Sequence, residues 1–173
     1  MAIIEVGKIE IEPFKLDTIL KLRLKEILND HAVFHLYARL EKEQADTPLG
    51  LISNTTQIKF KGDGEIIFSG VARNIDITCV EDVSYLRIIA VSNTILIDVE
   101  KKNRSFQDAA QKYREIVEEV TGEKGSSVTF GDSEAAGKTV DNIILQYAET
   151  DWAFVLRALY HRFRVSTIPA YFS

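Results

Sequence analysis

Over its first hundred residues the chain alternates apolar and polar side chains in short runs, divided at regular intervals by turn formers. Ile4, Val6, Ile9 and Ile11 stand among Glu5, Lys8, Glu10 and Glu12, with Pro13 closing the run. Thr56, Ile58 and Phe60 alternate with Gln57 and Lys59 up to Gly62-Asp63-Gly64. A period of two belongs to a half-buried strand, and glycine supplies the positive φ of a tight hairpin. Further strands are expected over Val33 to Leu40, after the turn formers Asn29 and Asp30, and from Ile66 through Phe68, Gly70, Ile75 and Ile77 to Cys79, with a break at Glu81-Asp82. Tyr85 to Val99 resumes with Leu86, Ile88 and Ala90, then Ile95, Ile97 and Val99, around a bulge or bend at Ser92-Asn93. Residues 15 to 28 fit two periods: Leu20, Leu22 and Leu24 alternate, while Leu16, Leu20, Ile27 and Leu28 suit a helical face. They are read here as strand. Parallel neighbours need a crossover of a dozen or more residues, so six or seven strands without a long intervening helix pair antiparallel. A barrel or sandwich is expected.

The second half changes period. Phe106, Ala109, Ala110, Tyr113, Ile116, Val117 and Val120 recur at helical spacing, with Ser105 placed as N-cap, Asp108 as a capping-box acid and Gly122 at the C-terminus. Val128 to Phe130 reads as a short strand and Val140 to Tyr147 as an extended run. A second helix, capped by Thr150 or Glu149, carries Trp152, Val155, Leu156, Leu159 and Phe163 on one stripe. The expectation is an α+β chain: an antiparallel β-barrel-like domain over residues 1–104, then a small helix and strand appendage, or the start of an insertion domain, over 105–173.

Composition narrows the chemistry. With 21 basic and 26 acidic residues the net charge is −5, which gives no global drive toward nucleic acid or anionic lipid. Cys79 is the single cysteine, so an internal disulfide and a multi-cysteine zinc site are excluded. The N-terminus lacks a basic region followed by an apolar one, and no stretch reaches the roughly 20 apolar residues of a membrane span. A soluble protein of a reducing compartment is expected.

The segment from Gly131 to Gly137-Lys138-Thr139 has five residues between its glycines where a phosphate-binding loop has four, and Asp132 and Glu134 would oppose an anion. It reads as a solvated loop. His31 and His35 share one side of a strand or helix, but the third histidine, His161, is distant, so they read as surface residues rather than metal ligands. Cys79 reads as a buried, inert thiol. Glu81-Asp82 and Glu118-Glu119 are chain neighbours whose side chains diverge. Two basic clusters, Lys101-Lys102-Arg104 and Arg157-His161-Arg162-Arg164, suit partner contacts. No catalytic, cofactor-binding or metal constellation emerges.

Three segments, in order, resemble a known family. Phe68-Ser-Gly-Val-Ala-Arg-Asn-Ile75 is similar to a hub strand with an aromatic, a glycine and a following apolar position. Asp98-Val-Glu-Lys-Lys-Asn-Arg-Ser-Phe-Gln107 is similar to the segment leaving the first barrel, and Leu145-Gln-Tyr-Ala-Glu-Thr-Asp-Trp-Ala-Phe-Val-Leu-Arg157 to the strand-to-helix passage Gln-Tyr-x-Glu-Ser/Thr-Asp-x-x-Phe-x-x-Arg. The chain thus resembles the N-terminal portion of the phage late control protein D and VgrG-like baseplate hub family of contractile injection systems. The resemblance implies a non-enzymatic structural protein without a required cofactor, made in the cytoplasm of the producing bacterium and assembled into a virion or injection particle. It implies barrels ringed by self-association, contacts to tail tube and spike proteins, and neither a nucleic-acid partner nor a membrane span. Tyr147, Trp152, Phe154 and Arg157 are expected to dock the appendage or neighbouring chains. Family hubs usually continue into a second barrel. This chain stops after its second helix, so a fragment or a short hub is expected, and a trimer, a six-barrel ring or a monomer stays open. Two other readings are a small β-barrel nucleic-acid-binding module using Lys101, Lys102 and Arg104, and a nucleotide-dependent enzyme using Lys138 and Thr139.

Overall fold

The computed structural model describes residues 8–42, 56–122 and 137–163, with side chains through Leu159. Two compact units emerge: one runs through Ile27 and from His31 to Ser92, the other holds Leu28–Asp30 and the chain from Asn93 onward. The chain is α+β, as expected: the described residues form mostly antiparallel strands and, in the second unit, two short helices.

The first unit is one six-stranded antiparallel sheet of β1 (Ile9–Glu12), β2 (Leu16–Lys25), β3 (Val33–Leu40), β4 (Gln57–Gly62), β5 (Glu65–Val80) and β6 (Val83–Ser92), in the order β1-β4-β5-β6-β3-β2. Residues 16–25 are therefore strand, as read from their alternation. The two edge strands, β1 and β2, are consecutive in sequence and joined by residues 13–15 alone. That link spans at most about 14 Å, whereas the edges of a flat six-stranded sheet lie about 24 Å apart. The sheet must curl, and it forms a half-barrel. At the joint the Phe14 amide donates to the Ile11 carbonyl at 2.8 Å, and the Glu41 amide donates to that of Lys15 at 3.3 Å.

The core lies on the inner side of the curl. Phe34 of β3 is fully buried and stacks on Phe60 of β4 (ring centroids 5.7 Å apart) and on Phe68 of β5 (5.2 Å). β3 and β4 are three strand spacings apart in the sheet, about 14 Å if it were flat. Their rings touch because the sheet wraps around them. Ile58, Leu86, Ile88, Leu36, Ala38 and Ile11 complete this cluster.

β5 has to change faces to serve this core. Phe68 and Ala72 point inward on even positions, while Ile75 and Ile77 pack against the same core on odd ones. The switch occurs at a bulge between Ala72 and Asn74, opposite Ala90 and Ile89 of β6. Cys79 keeps the odd phase, but β5 has by then run past the core. The thiol is exposed, which corrects the expectation of a buried one. Both expected hairpin turns form: Asp63 and Gly64 take φ of 52° and 87°, Glu81 and Asp82 of 49° and 61°, the paired positive angles of a two-residue type I′ connection.

The second unit opens with a 3₁₀ helix, Asn93–Ile97, followed by β7 (Lys101–Phe106), α1 (Tyr113–Gly122), β8 (Ile144–Thr150) and α2 (Asp151–Phe163). The first two elements depart from the expectation. Ile95, Ile97 and Val99 alternate like a strand, yet β6 is already flanked by β3 and β5 as far as Ser92, and the chain turns instead into a helix that buries Thr94 and Ile97 three residues apart. Phe106, Ala109 and Ala110 carry a helical period, but β8, some forty residues later, pairs with residues 101–106 and makes them strand. The helix accordingly starts at Tyr113. Its cap is neither Ser105 nor Asp108: the Glu115 carboxylate accepts from the Lys112 amide at 3.0 Å, while Asp108 accepts from the Ala110 amide in a local turn. Phe106, Tyr113, Ile116, Val117, Val120, Phe154, Val155 and Leu159 form the second core. Residues 93–104, assigned from sequence to the first domain, group with this unit. The strand expected at Val128 to Phe130 lies outside the described residues. No helix among those described is long and apolar enough to cross a membrane.

At Gly70 the backbones of β5 and β6 approach closely. A Cβ built there lies 2.3 Å from the Val91 carbonyl oxygen and 2.5 Å from the Phe68 ring, so any side chain forces β5 and β6 apart. Gly70→Ala is expected to lower stability by about 1–3 kcal/mol, read from the midpoint of urea unfolding, with no change in the slope of that transition.

Candidate assembly site

Two of the segments that carry the family resemblance, 98–107 and 145–157, come together as β7, β8 and the first half of α2. The pairing sets Lys101 opposite Thr150, Lys102 opposite Glu149, Arg104 opposite Gln146 and Phe106 opposite Ile144. Between Lys102 and Arg104 the register slips, because β8 carries one extra residue there. The bulge is pinned: Ala148 sits at φ 50°, and its amide donates to Asn103 Oδ1 at 2.9 Å.

β8 runs into α2 without a loop. Thr150 ends the strand and caps the helix, its hydroxyl oxygen accepting from the Ala153 amide at 3.2 Å. The same hydroxyl donates to Asp98 Oδ1 at 2.5 Å, tying the passage to the end of the 3₁₀ segment.

Beside this cap lies a buried polar knot. The Asp151 side chain is 2% exposed and receives Arg104 Nη1 at 2.5 Å, Lys102 Nζ at 3.0 Å and the Gln146 amide at 2.9 Å. Gln146 in turn accepts from Arg104 at 2.6 Å and donates to the Glu149 carbonyl at 3.1 Å. Burial works against the Asp151 charge, but the hydrogen bonds from Arg104, Gln146 and Lys102 outweigh it and hold the carboxyl below the ordinary carboxylate range. The position at the first turn of α2 is also one where the helix dipole favours a negative charge.

The four residues expected to dock the appendage or neighbouring chains take different places. Phe154 is fully buried and stacks on Phe106 with ring centroids 5.5 Å apart, and Trp152 is buried. Arg157 pairs with Glu149, donates to the Leu145 carbonyl at 2.6 Å and lies 5.4 Å from the Phe154 ring centroid. That pairing with Glu149 raises its pKa. Arg157 thus ties the body of α2 back to β8. Tyr147 is 80% exposed on the far side of β8, in line with the exposed Leu145 and Ile143. This outward apolar row was missed from sequence, where Val140 to Tyr147 read only as extended. The signal was present in the alternation of Ile143, Leu145 and Tyr147 with Ile144 and Gln146, but which phase faces inward depends on the β7 pairing.

The basic cluster Lys101-Lys102-Arg104 also divides. Lys101 stays exposed while Lys102 and Arg104 turn into Asp151, so two of the three cations offered for phosphate serve the fold instead. Lys138 and Thr139 lie in a connection: the Lys138 carbonyl accepts from the Tyr113 amide, Thr139 bridges Lys112, and the strand rather than a helix follows. His31 and His35 fall in the first unit, His35 exposed on β3. Among the described residues no three His, Cys, Asp or Glu side chains converge as metal ligands would.

This architecture has known counterparts. A component of the E. coli type VI secretion system, described as structurally similar to the T4 bacteriophage tail proteins gp27 and gp5, superposes with a TM-score of 0.58 over 88% of this chain at 19% identity. The 43 kDa tail protein of prophage MuSo2 from Shewanella oneidensis superposes at 0.56 over 89%, with 16% identity. The chain shares their fold. It spans 42% and 48% of their respective lengths. No family model and no curated protein matches the sequence.

Removing the carboxylate at the knot leaves Arg104 and Lys102 facing each other in a largely buried site. Asp151→Ala is expected to cost about 3–5 kcal/mol in urea unfolding at neutral pH. The native carboxyl titrates below its unfolded value of about 3.9, so in the window between the two the unfolded chain binds the extra proton and stability falls as pH falls. Asp151→Asn should therefore show a shallower acid limb than the parent as pH falls below about 5; identical limbs would mean the charge contributes nothing.

Proposed function

We propose that the chain is a structural component of a phage-tail-like or type VI-like contractile particle, placed in the hub that joins tail tube to spike. The observation that carries this reading is the fold shared, over nearly nine-tenths of the chain, with a type VI secretion component and a prophage tail protein. The interlocked segments support it further. Asp98, Arg104, Gln146, Thr150 and Asp151, drawn from the two stretches that resemble late control protein D and VgrG-like hubs, bond one another, so the resemblance follows a set of physical contacts. A particle component also needs a surface for its neighbours. Ile143, Leu145 and Tyr147 offer an exposed apolar row, whereas the exposed residues of β7 are the polar Lys101, Asn103 and Ser105, and such a row is the kind of surface that a closed ring of identical contacts covers. In this reading Trp152, Phe154 and Arg157 hold the strand-to-helix passage rigid, while Tyr147 meets the adjoining chain.

Deleting the gene from its source genome and counting assembled tails by negative-stain electron microscopy tests the reading. Tails should be absent, restored by the parental gene and not by Leu145→Arg with Tyr147→Arg, a pair whose exposure leaves folding by circular dichroism unchanged. Normal numbers of intact, active particles in the deletion strain would refute it.

A further inference from the structure

The strands of the half-barrel gather cations on their outer face, although the chain as a whole is acidic. β3 alternates strictly, with Phe34, Leu36 and Ala38 buried and His35, Tyr37 and Arg39 outward. Register sets Lys21 of β2 and Arg87 of β6 on either side of Tyr37, and Arg23 and Ile89 on either side of His35. Lys25 follows two residues further along β2, opposite Val33. Arg39 on this face is held by Asp17. Lys21, Arg23 and Lys25 have no carboxylate partner among the described residues. Asp76, opposite Arg87 on β5 and bonded to the Asn74 amide at 2.6 Å, bounds the cationic strip on the other side.

Aromatic rings stand in the middle of it. Tyr37 and Tyr85 stack with centroids 5.8 Å apart at 21°, and the Arg87 guanidinium lies 5.8 Å from the Tyr37 ring centroid. Two shallow depressions meet at Tyr37 and Arg87, one of about 340 Å³ toward Lys21 and Arg23, the other of about 590 Å³ toward Tyr85 and Thr78. Lysines on β2 alone would be explained by its edge position, where charge deters pairing with other chains. Arg87 and His35 are on interior strands whose backbones are already paired, so edge protection does not account for them.

We propose that this outer face binds single-stranded nucleic acid. Lys21, Arg23 and Lys25 recur about every 6.7 Å along β2 and take successive phosphates, while bases settle into the depressions against Tyr37, Tyr85 and the Arg87 plane. Cations along an edge with aromatics on the central strands are the elements by which open sheets hold unpaired strands. The net negative charge does not forbid this, because exposed charges farther than about 10 Å are screened at ordinary salt. A duplex hides the base faces the tyrosines would meet, and an acidic protein offers carboxylates with nothing flat to stack. The proposal rests on this face alone and is independent of the tail-particle reading.

Fluorescence anisotropy of a labelled oligothymidylate of about 20 nucleotides with the full chain provides the test. Three or four phosphate contacts predict an affinity that falls roughly 20- to 50-fold between 50 and 200 mM salt. Lys21→Gln with Arg23→Gln should flatten that dependence, Tyr37→Leu should weaken binding roughly 5- to 150-fold, and Lys101→Gln should change neither; circular dichroism confirms that each variant folds. No binding at 50 mM salt, or binding lost with Lys101→Gln and kept in the Lys21/Arg23 variant, overturns the proposal. So does competition by polyglutamate as strong as that by unlabelled oligonucleotide, which would assign the face to an acidic protein.

Discussion

The first unit is organised by one constraint: a three-residue link between the two outermost strands of a six-stranded sheet. Residues 13–15 cannot reach across a flat sheet, so joining β1 to β2 obliges the strands between them to curl. The curl has one inner side, and Phe34 fills its centre by touching Phe60 and Phe68 across strands that are not neighbours. The bulge in β5 and the bare backbone at Gly70 follow from the same demand. A sixteen-residue strand bent round a small core must change which face it buries, and where it passes closest to β6 there is no room for a Cβ.

In the second unit a carboxylate has the equivalent place. Asp151 is the junction at which β7, β8 and α2 meet, and its three donors come from both strands. A buried ionic cluster of this kind often stabilises no more than an apolar one of equal volume, because removing charges from water costs several kcal/mol per ion. What it adds is geometric definition. Only the bulged register at Ala148 brings Arg104 level with Gln146, and only the cap at Thr150 turns Asp151 toward both. The contacts that close the passage also decide which face of β8 is left outside, and that face carries Leu145 and Tyr147.

Charge shows how far a sum can mislead. A total of −5 argues against anionic partners, yet acidic and basic groups are sorted in space: Lys102 and Arg104 are absorbed by Asp151, while Lys21, Arg23 and Lys25 line one strand. The apparent phosphate-gripping cluster of adjacent residues is thus largely structural, and the accessible cations of the outer face lie on β2, with Arg87 brought beside them from β6.

Much of the fold was legible because alternation and turn residues are local signals. The hairpins at Asp63-Gly64 and Glu81-Asp82 needed only the residues beside them, and so did the stripe of α2. Elements whose form depends on a distant partner were misread. Phe106 to Ala110 look like the first turns of a helix, yet β8 claims residues 101–106 as strand and α1 begins only at Tyr113, and residues 95–99 look extended until β6 is found with both edges taken. Of the candidate site, the individual residues Trp152, Phe154 and Arg157 could be named, but not that Phe154 would be buried and Tyr147 bare, since periodicity gives two faces without saying which one water sees. The amino-acid order by itself determined the antiparallel class, the turns and the strand-to-helix passage, all of which rest on backbone preferences within a few residues. Tertiary structure alone decided the curl, the Asp151 knot and the outward rows, because each depends on groups brought together by pairing between strands far apart in the chain.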